Sequence, residues 1–211
     1  MICQCPAGES IPTLGAPACP ENFGQIQKIA FQRLVNESAR PPELNGLDYD
    51  NVVFKPTWDG LVTSRWGDKV SVSPFVEAPT QEGGDPRTFG GGNDTLGGIE
   101  VVIGSNPTTF SCVIRRCPQD VIARMKELMC EAAAGNLGVY LFSENGQIEA
   151  VADDSSGEVF YRPIPICSLF VGDKVHGGFD EPDYNAVQFT FEQGYSDKLA
   201  IITPEFNPLT L

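Results

Sequence analysis

Apolar and polar positions are spread unevenly along this chain, and residues 99–211 hold the clearest regular pattern: strand-like runs surrounding one helical stretch. Residues 99–103 form an apolar strand, Asn106-Pro107 marks a turn, and 108–115 is β-branched and aromatic enough to return beside it. Over 118–134 the period changes to that of a helix. Val121, Ile122, Met125, Leu128 and Met129 fall on one face, Pro118 suits a first helical position, Asp120 adds charge at the favourable end, and Gly135-Asn136 stops the helix. Residues 137–143 and 147–152 then flank Asn145-Gly146, a strong two-residue hairpin signal because both turn positions favour residues that tolerate positive φ. Strands are predicted again at 159–161, 166–171, 186–192 and 199–203, with residues 193–196 turning the last pair.

The first half is less regular. Residues 1–20 carry Cys3, Cys5 and Cys19 among Pro6, Pro12, Pro17 and Pro20, a composition that resists helix and sheet and predicts an extended N-terminal arm. From residue 21, Ile29, Phe31 and Val35 alternate with polar residues as in a strand, although Ile26 and Ile29 also permit a short helix. Pro41-Pro42 and Asn45-Gly46 mark a loop, and short strands are predicted at 52–54, 61–65 and 70–76. Residues 77–98 form a long Gly-rich irregular loop, with Gly83-Gly84, Gly90-Gly91-Gly92 and Gly97-Gly98 interrupted by Pro79 and Pro86. Irregular loops of that length usually carry function or order against a neighbour. The expected organisation is therefore an arm over 1–20 and a single β-rich domain over 21–211, mainly β with one packed helix.

At 211 residues and 41% apolar content the chain can bury one good core, which argues against wholesale disorder. No apolar run approaches membrane-span length, and Met1-Ile2-Cys3-Gln4-Cys5-Pro6 lacks the pattern of a secretory signal, so the protein is expected to remain at first in the cytoplasm that makes it. The formal charge of −14 disfavours gripping a nucleic-acid backbone, which needs clustered Lys and Arg; Arg115-Arg116 is the one adjacent basic pair. Excess negative charge keeps a protein soluble, and it would equally suit a lumen through which DNA slides without sticking.

Catalytic chemistry finds no constellation in this sequence. His176 is the only histidine and lies in a Gly-rich loop with no obvious nucleophile beside it. No Walker loop, dinucleotide fingerprint, zincin motif or nucleophile elbow occurs. Seven cysteines, Cys3, Cys5, Cys19, Cys112, Cys117, Cys130 and Cys167, are an odd set for a disulfide framework. Cys3, Cys5 and Cys19 bind zinc only if a fourth ligand arrives from elsewhere, and an arm with reduced thiols is the plainer reading. Arg115-Arg116 between Cys112 and Cys117 would favour a reactive thiolate, against the commoner role of packing. Asp153-Asp154 and Asp180, Glu181 and Asp183 do not follow calcium-loop spacing. No catalytic, cofactor-binding or metal residue is assigned.

The segment Cys19-Pro20-Glu21-Asn22-Phe23-Gly24-Gln25-Ile26-Gln27-Lys28-Ile29-Ala30-Phe31-Gln32-Arg33 resembles the amino-terminal part of virion proteins from crAss-like and other gut Bacteroidales tailed phages. The later series of a helix and two hairpins, ending Phe206-Asn207-Pro208-Leu209-Thr210-Leu211, is similar to tail-tube and tail-ring proteins of tailed phages. Residues 36–98 match neither. The resemblance implies an antiparallel β-sandwich of tail-tube type in a non-enzymatic virion protein. It implies a homo-oligomeric ring or short tube of roughly six or twelve copies, in contact with adjacent tail or portal-proximal proteins, through which genomic DNA passes non-specifically. Membranes are not expected as partners. The arm and the 77–98 loop become contacts between subunits or rings, and edge strands are satisfied by neighbouring copies. Two other classes remain open at this level: a capsid-decoration or host-surface binding module, and a thiol- or zinc-dependent enzyme built on the cysteines.

Overall fold

The computed structural model describes residues 23–93, 96–155 and 157–211, so the expected 1–20 arm with Cys3, Cys5 and Cys19 lies outside the described residues. In chain order the elements begin with β1 (Ile26–Arg33), β2 (Val35–Asn36), β3 (Glu43–Leu44), β4 (Leu47–Asp48), α1 (Tyr49–Val53) and α2 (Lys55–Thr63). Next come β5 (Val70–Val72), β6 (Glu77–Glu82), β7 (Pro86–Gly90), β8 (Glu100–Ser105), β9 (Thr109–Arg115) and α3 (Gln119–Ala133). The remainder is β10 (Leu137–Ser143), β11 (Ile148–Asp153), β12 (Phe160–Arg162), β13 (Ile164–Val171), β14 (Tyr184–Phe191) and β15 (Leu199–Ile202). The fold is α+β and mainly β, built on a large antiparallel sheet. The described residues divide into two compact units, one of residues 23–83 with 107–211 and one of residues 84–106.

In the larger unit backbone pairing runs full circle. β1 pairs with β10, β10 with β13, β13 with β14, β14 with β9, and β9 with β6. The circuit closes because the chain leaving β5, itself paired with β1, stays on β1: Ser73 N–H donates to Ile29 O at 2.8 Å and Val76 N–H to Gln27 O at 2.9 Å. One stretch of chain, residues 70–82, thus faces β1 with its first half and β9 with its second. Closure removes most of the sheet's exposed edges. The ring turns a corner in β13, where the register shifts between Cys167 and Phe170 and Ser168 takes φ +54°, the signature of a bulge.

The alternation of side chains explains two cores. β9 buries every second residue, Phe110, Cys112 and Ile114, which meet Phe189 and Phe191 of β14, Val139 and Leu141 of β10, and Ile29 and Phe31 of β1. Phe110 stacks on Phe189 with centroids 4.8 Å apart. α3 packs along β13 and β10 and adds Ile122, Met125 and Ala132 to this core. β10 is buried at all seven residues because its other face is also covered. There Tyr140 and Phe142 join Ala30, Ile148, Trp58 of α2 and Ile202 of β15, with Phe206, Leu209 and Leu211 against them.

Several expectations need correction. Residues 52–54 and 61–65 are not strands but belong largely to α1 and α2. Asp48 caps α1 by accepting from Asn51 N–H at 2.7 Å, Pro56 sits in the first turn of α2, and Trp58, Leu61 and Val62 have helical spacing. The 77–98 stretch contains two strands: β6 pairs with β9, and β7 pairs with β8. Pro79 fits within β6 because it lies where the register shifts between Glu77 and Thr80. β9 does not return beside residues 99–103; burying Phe110 and Ile114 draws it instead to β14 and β6. Likewise β15 pairs with β11 rather than β14, because a 3₁₀ turn over Tyr195–Lys198 redirects the chain. Pro118 precedes the helix rather than opening it.

Gly138 of β10 sits at a tight crossing. A Cβ there would lie 2.7 Å from Leu34 Cδ2, 2.8 Å from Pro163 Cβ and 3.1 Å from Ile164 O. Gly138→Val is accordingly expected to cost about 1–3 kcal/mol, read from the midpoint of urea unfolding against the parent.

Candidate assembly surface

The smaller unit is a two-stranded ribbon. β7 and β8 pair from Pro86↔Ser105 to Gly90↔Glu100, with a register shift between Arg87 and Thr88. Asn106 N–H donates to Asp85 O at 2.9 Å and closes the root of the ribbon. Its apolar side chains are exposed: Phe89 by 61%, Ile99 by 68%, Val102 by 63%, with Val101 and Ile103 similar. Phe89 stands opposite Val101 and Thr88 opposite Val102, so consecutive apolar residues of β8 project from both faces. Exposed contiguous apolar surface is a common feature of interaction sites. The apolar run at 99–103 was legible in the sequence as a strand; its pairing with residues 86–90 was not, since Pro86 and Gly90-Gly91-Gly92 read as loop.

Other residues singled out in the sequence do not converge. His176 is 80% exposed, its Nδ1 3.1 Å from Asp183 Oδ2. Asp153 pairs with Arg162 at 2.6 Å and Asp154 with Lys198 at 3.4 Å, while Glu181 lies 3.9 Å from Arg115. Asp153 is held at about 2, first by hydrogen bonds from Ser155 and then by Arg162. Burial pushes the Cys112 thiol up to about 12; Cys117 is raised as well, by burial first and then by Asp120, so the adjacent arginines do not produce a thiolate. Met125 is buried in the core, and Met129 packs against it. Among the described residues no three His, Cys, Asp or Glu side chains are grouped to hold a metal ion. Among the described residues no helix is long and apolar enough to cross a membrane.

One carboxylate is out of the ordinary. Glu149 lies mid-strand in β11, between Leu141 of β10 and Ile201 of β15, and burial raises it to about 7. A raised carboxyl binds its proton more tightly folded than unfolded, so its stabilising effect is complete below the unfolded value and is lost as pH rises through about 7. Glu149→Gln is expected to remove that loss and leave the variant about 2–3 kcal/mol more stable than the parent at pH 8, with little difference at pH 4. Denaturant unfolding across that pH range reads it directly, and parallel parent and variant curves would contradict it.

No family model matches the chain, and no curated protein matches it. Among solved structures, the chain is similar to one from the cryo-EM structure of the anti-feeding prophage (AFP) baseplate, 6-fold symmetrised. The identity is 7%, the match covers 92% of this chain and 100% of that one, and the TM-score is 0.36.

Proposed function

We propose that the chain is a non-enzymatic structural subunit of a tailed-phage virion, assembling with copies of itself into a ring or short tube in the tail through which DNA passes. The observation that carries this reading is the ribbon of β7 and β8, whose exposed apolar side chains and strand edges suit a neighbouring subunit. The closed pairing circuit of the larger unit supports it, since such a body can be repeated around an axis without uncontrolled edge pairing. A formal charge of −14 suits a channel that must not retain DNA. Adjacent tail or portal-proximal proteins would cap the ring, with assembly in the host cytoplasm.

Light scattering on the purified, reduced protein, followed by negative-stain imaging of its largest species, tests the reading. Annular particles with a central hole are expected. A protein that remains a monomer or a compact trimer at assembly concentrations would overturn it, the trimer favouring a decoration or surface-binding module.

A further inference from the structure

The larger unit carries an open groove of about 340 Å³ between β5 and α3. Phe31, Val70, Val72, Val121, Met125 and Leu128 give it an apolar lining, and its charged residues are Lys69 and Arg124. Both cations are exposed, and neither enters an ion pair among the described residues. A wholly basic slot is conspicuous in a chain with 28 acidic and 14 basic side chains.

One wall is a strand edge. Because Ser73 N–H bonds to Ile29 O, the bonded positions against β1 are residues 73 and 71, and antiparallel alternation turns the N–H and C=O groups of Val70 and Val72 the other way; Val70 is fully buried and Val72 half-buried. β5 pairs with β1 alone among the described residues, so the backbone groups of Val72 offer a point of attachment for an added strand.

We propose that this groove accepts β8 from the ribbon of a second copy, which adds as a strand to β5. This rests on the self-assembly reading and names the surface that receives the ribbon. Among the described residues β8 pairs with β7 alone, leaving its other edge to bond with Val72. Its exposed Val101 and Ile103 supply apolar side chains for the lining, and Glu100, in no ion pair among the described residues, supplies the charge that Lys69 and Arg124 lack. Ribbon and groove are different surfaces of one chain, so each copy donates once and accepts once. Such a head-to-tail contact generates a ring when its rotation closes.

The test places the photo-crosslinker p-benzoylphenylalanine at Val102 in the full chain, irradiates the assembled protein and maps the covalent products. A crosslinked dimer joined within residues 69–74 or 121–128 is expected. In a second arm, Glu100→Lys and the pair Lys69→Glu with Arg124→Glu should each weaken self-association at least about tenfold, and combining all three should restore it. All these residues are exposed, so thermal unfolding should match the parent. Crosslinks elsewhere in a protein that still forms rings would overturn the groove assignment and leave the ring reading intact. Groove crosslinks in open dimers or filaments would support the assignment and overturn the ring. Absence of any self-association would overturn both.

Discussion

Excising residues 85–105 and joining Gly84 to Asn106 should leave a folded monomer that no longer assembles. The chain enters and leaves the ribbon at nearly one point: a Cβ on Gly84 would collide with the carbonyl of Asn106, and Asn106 bonds to Asp85. A single peptide spans about 3.8 Å, so the junction demands little rearrangement. β7 and β8 form their own two-stranded sheet, and every pairing of the closed circuit lies outside the deleted stretch. Apolar anchors dominate interface energetics, and Phe89 with Val101, Val102 and Ile103 are all lost. Self-association should weaken by at least about a thousandfold, seen as a monomer mass by light scattering at concentrations where the parent assembles. The circular dichroism spectrum and melting temperature should stay close to the parent's. Assembly undiminished by the deletion would remove the ribbon from the account.

Trp58→Ala should act on the opposite property, costing about 3–5 kcal/mol of folding stability. The indole is fully buried in the second core, and its Nε1 donates to Val52 O at 2.9 Å, tying α2 to α1. Its edge meets Tyr140 at 5.1 Å and Phe142 at 5.7 Å between centroids, with interplanar angles of 81° and 82°. Truncation therefore removes buried area, two edge-to-face contacts and a buried hydrogen bond, and leaves a cavity beside the central strand. Since a domain's whole stability is about 5–15 kcal/mol, urea unfolding should show a large fall in midpoint. Trp58→Phe should retain more than half of the lost stability. A change under about 1 kcal/mol for Trp58→Ala would mean that α1 and α2 contribute little to the fold.

The contrast between these variants follows from what local pattern can and cannot encode. β10 was legible because Leu137-Gly138-Val139-Tyr140-Leu141-Phe142 is an unbroken apolar run, as a strand covered on both faces must be. α3 was legible because it completes four turns of one-sided spacing. α1 and α2, of five and nine residues, are too short for their period to dominate; Asp48 and Trp58 hold them through a cap and a tertiary contact. Closure through residues 70–82 left no local mark, because it depends on which distant strands meet each half of the segment. The ribbon was half legible. An apolar run such as Val101-Val102-Ile103 reads the same whether its burial comes from its own chain or from a neighbour.

The account turns on whether the β7–β8 ribbon is the assembly element, and amide hydrogen exchange tests that most directly. Exchange of peptides spanning residues 86–105 would be followed by mass spectrometry in the assembled protein and in the same protein diluted to monomer. The account predicts that the amides of Glu100–Ser105 exchange at least about a hundredfold more slowly in the assembly, as strand edges and apolar side chains leave water. Equal exchange in both states, alongside demonstrated assembly, would place the interface elsewhere and contradict it.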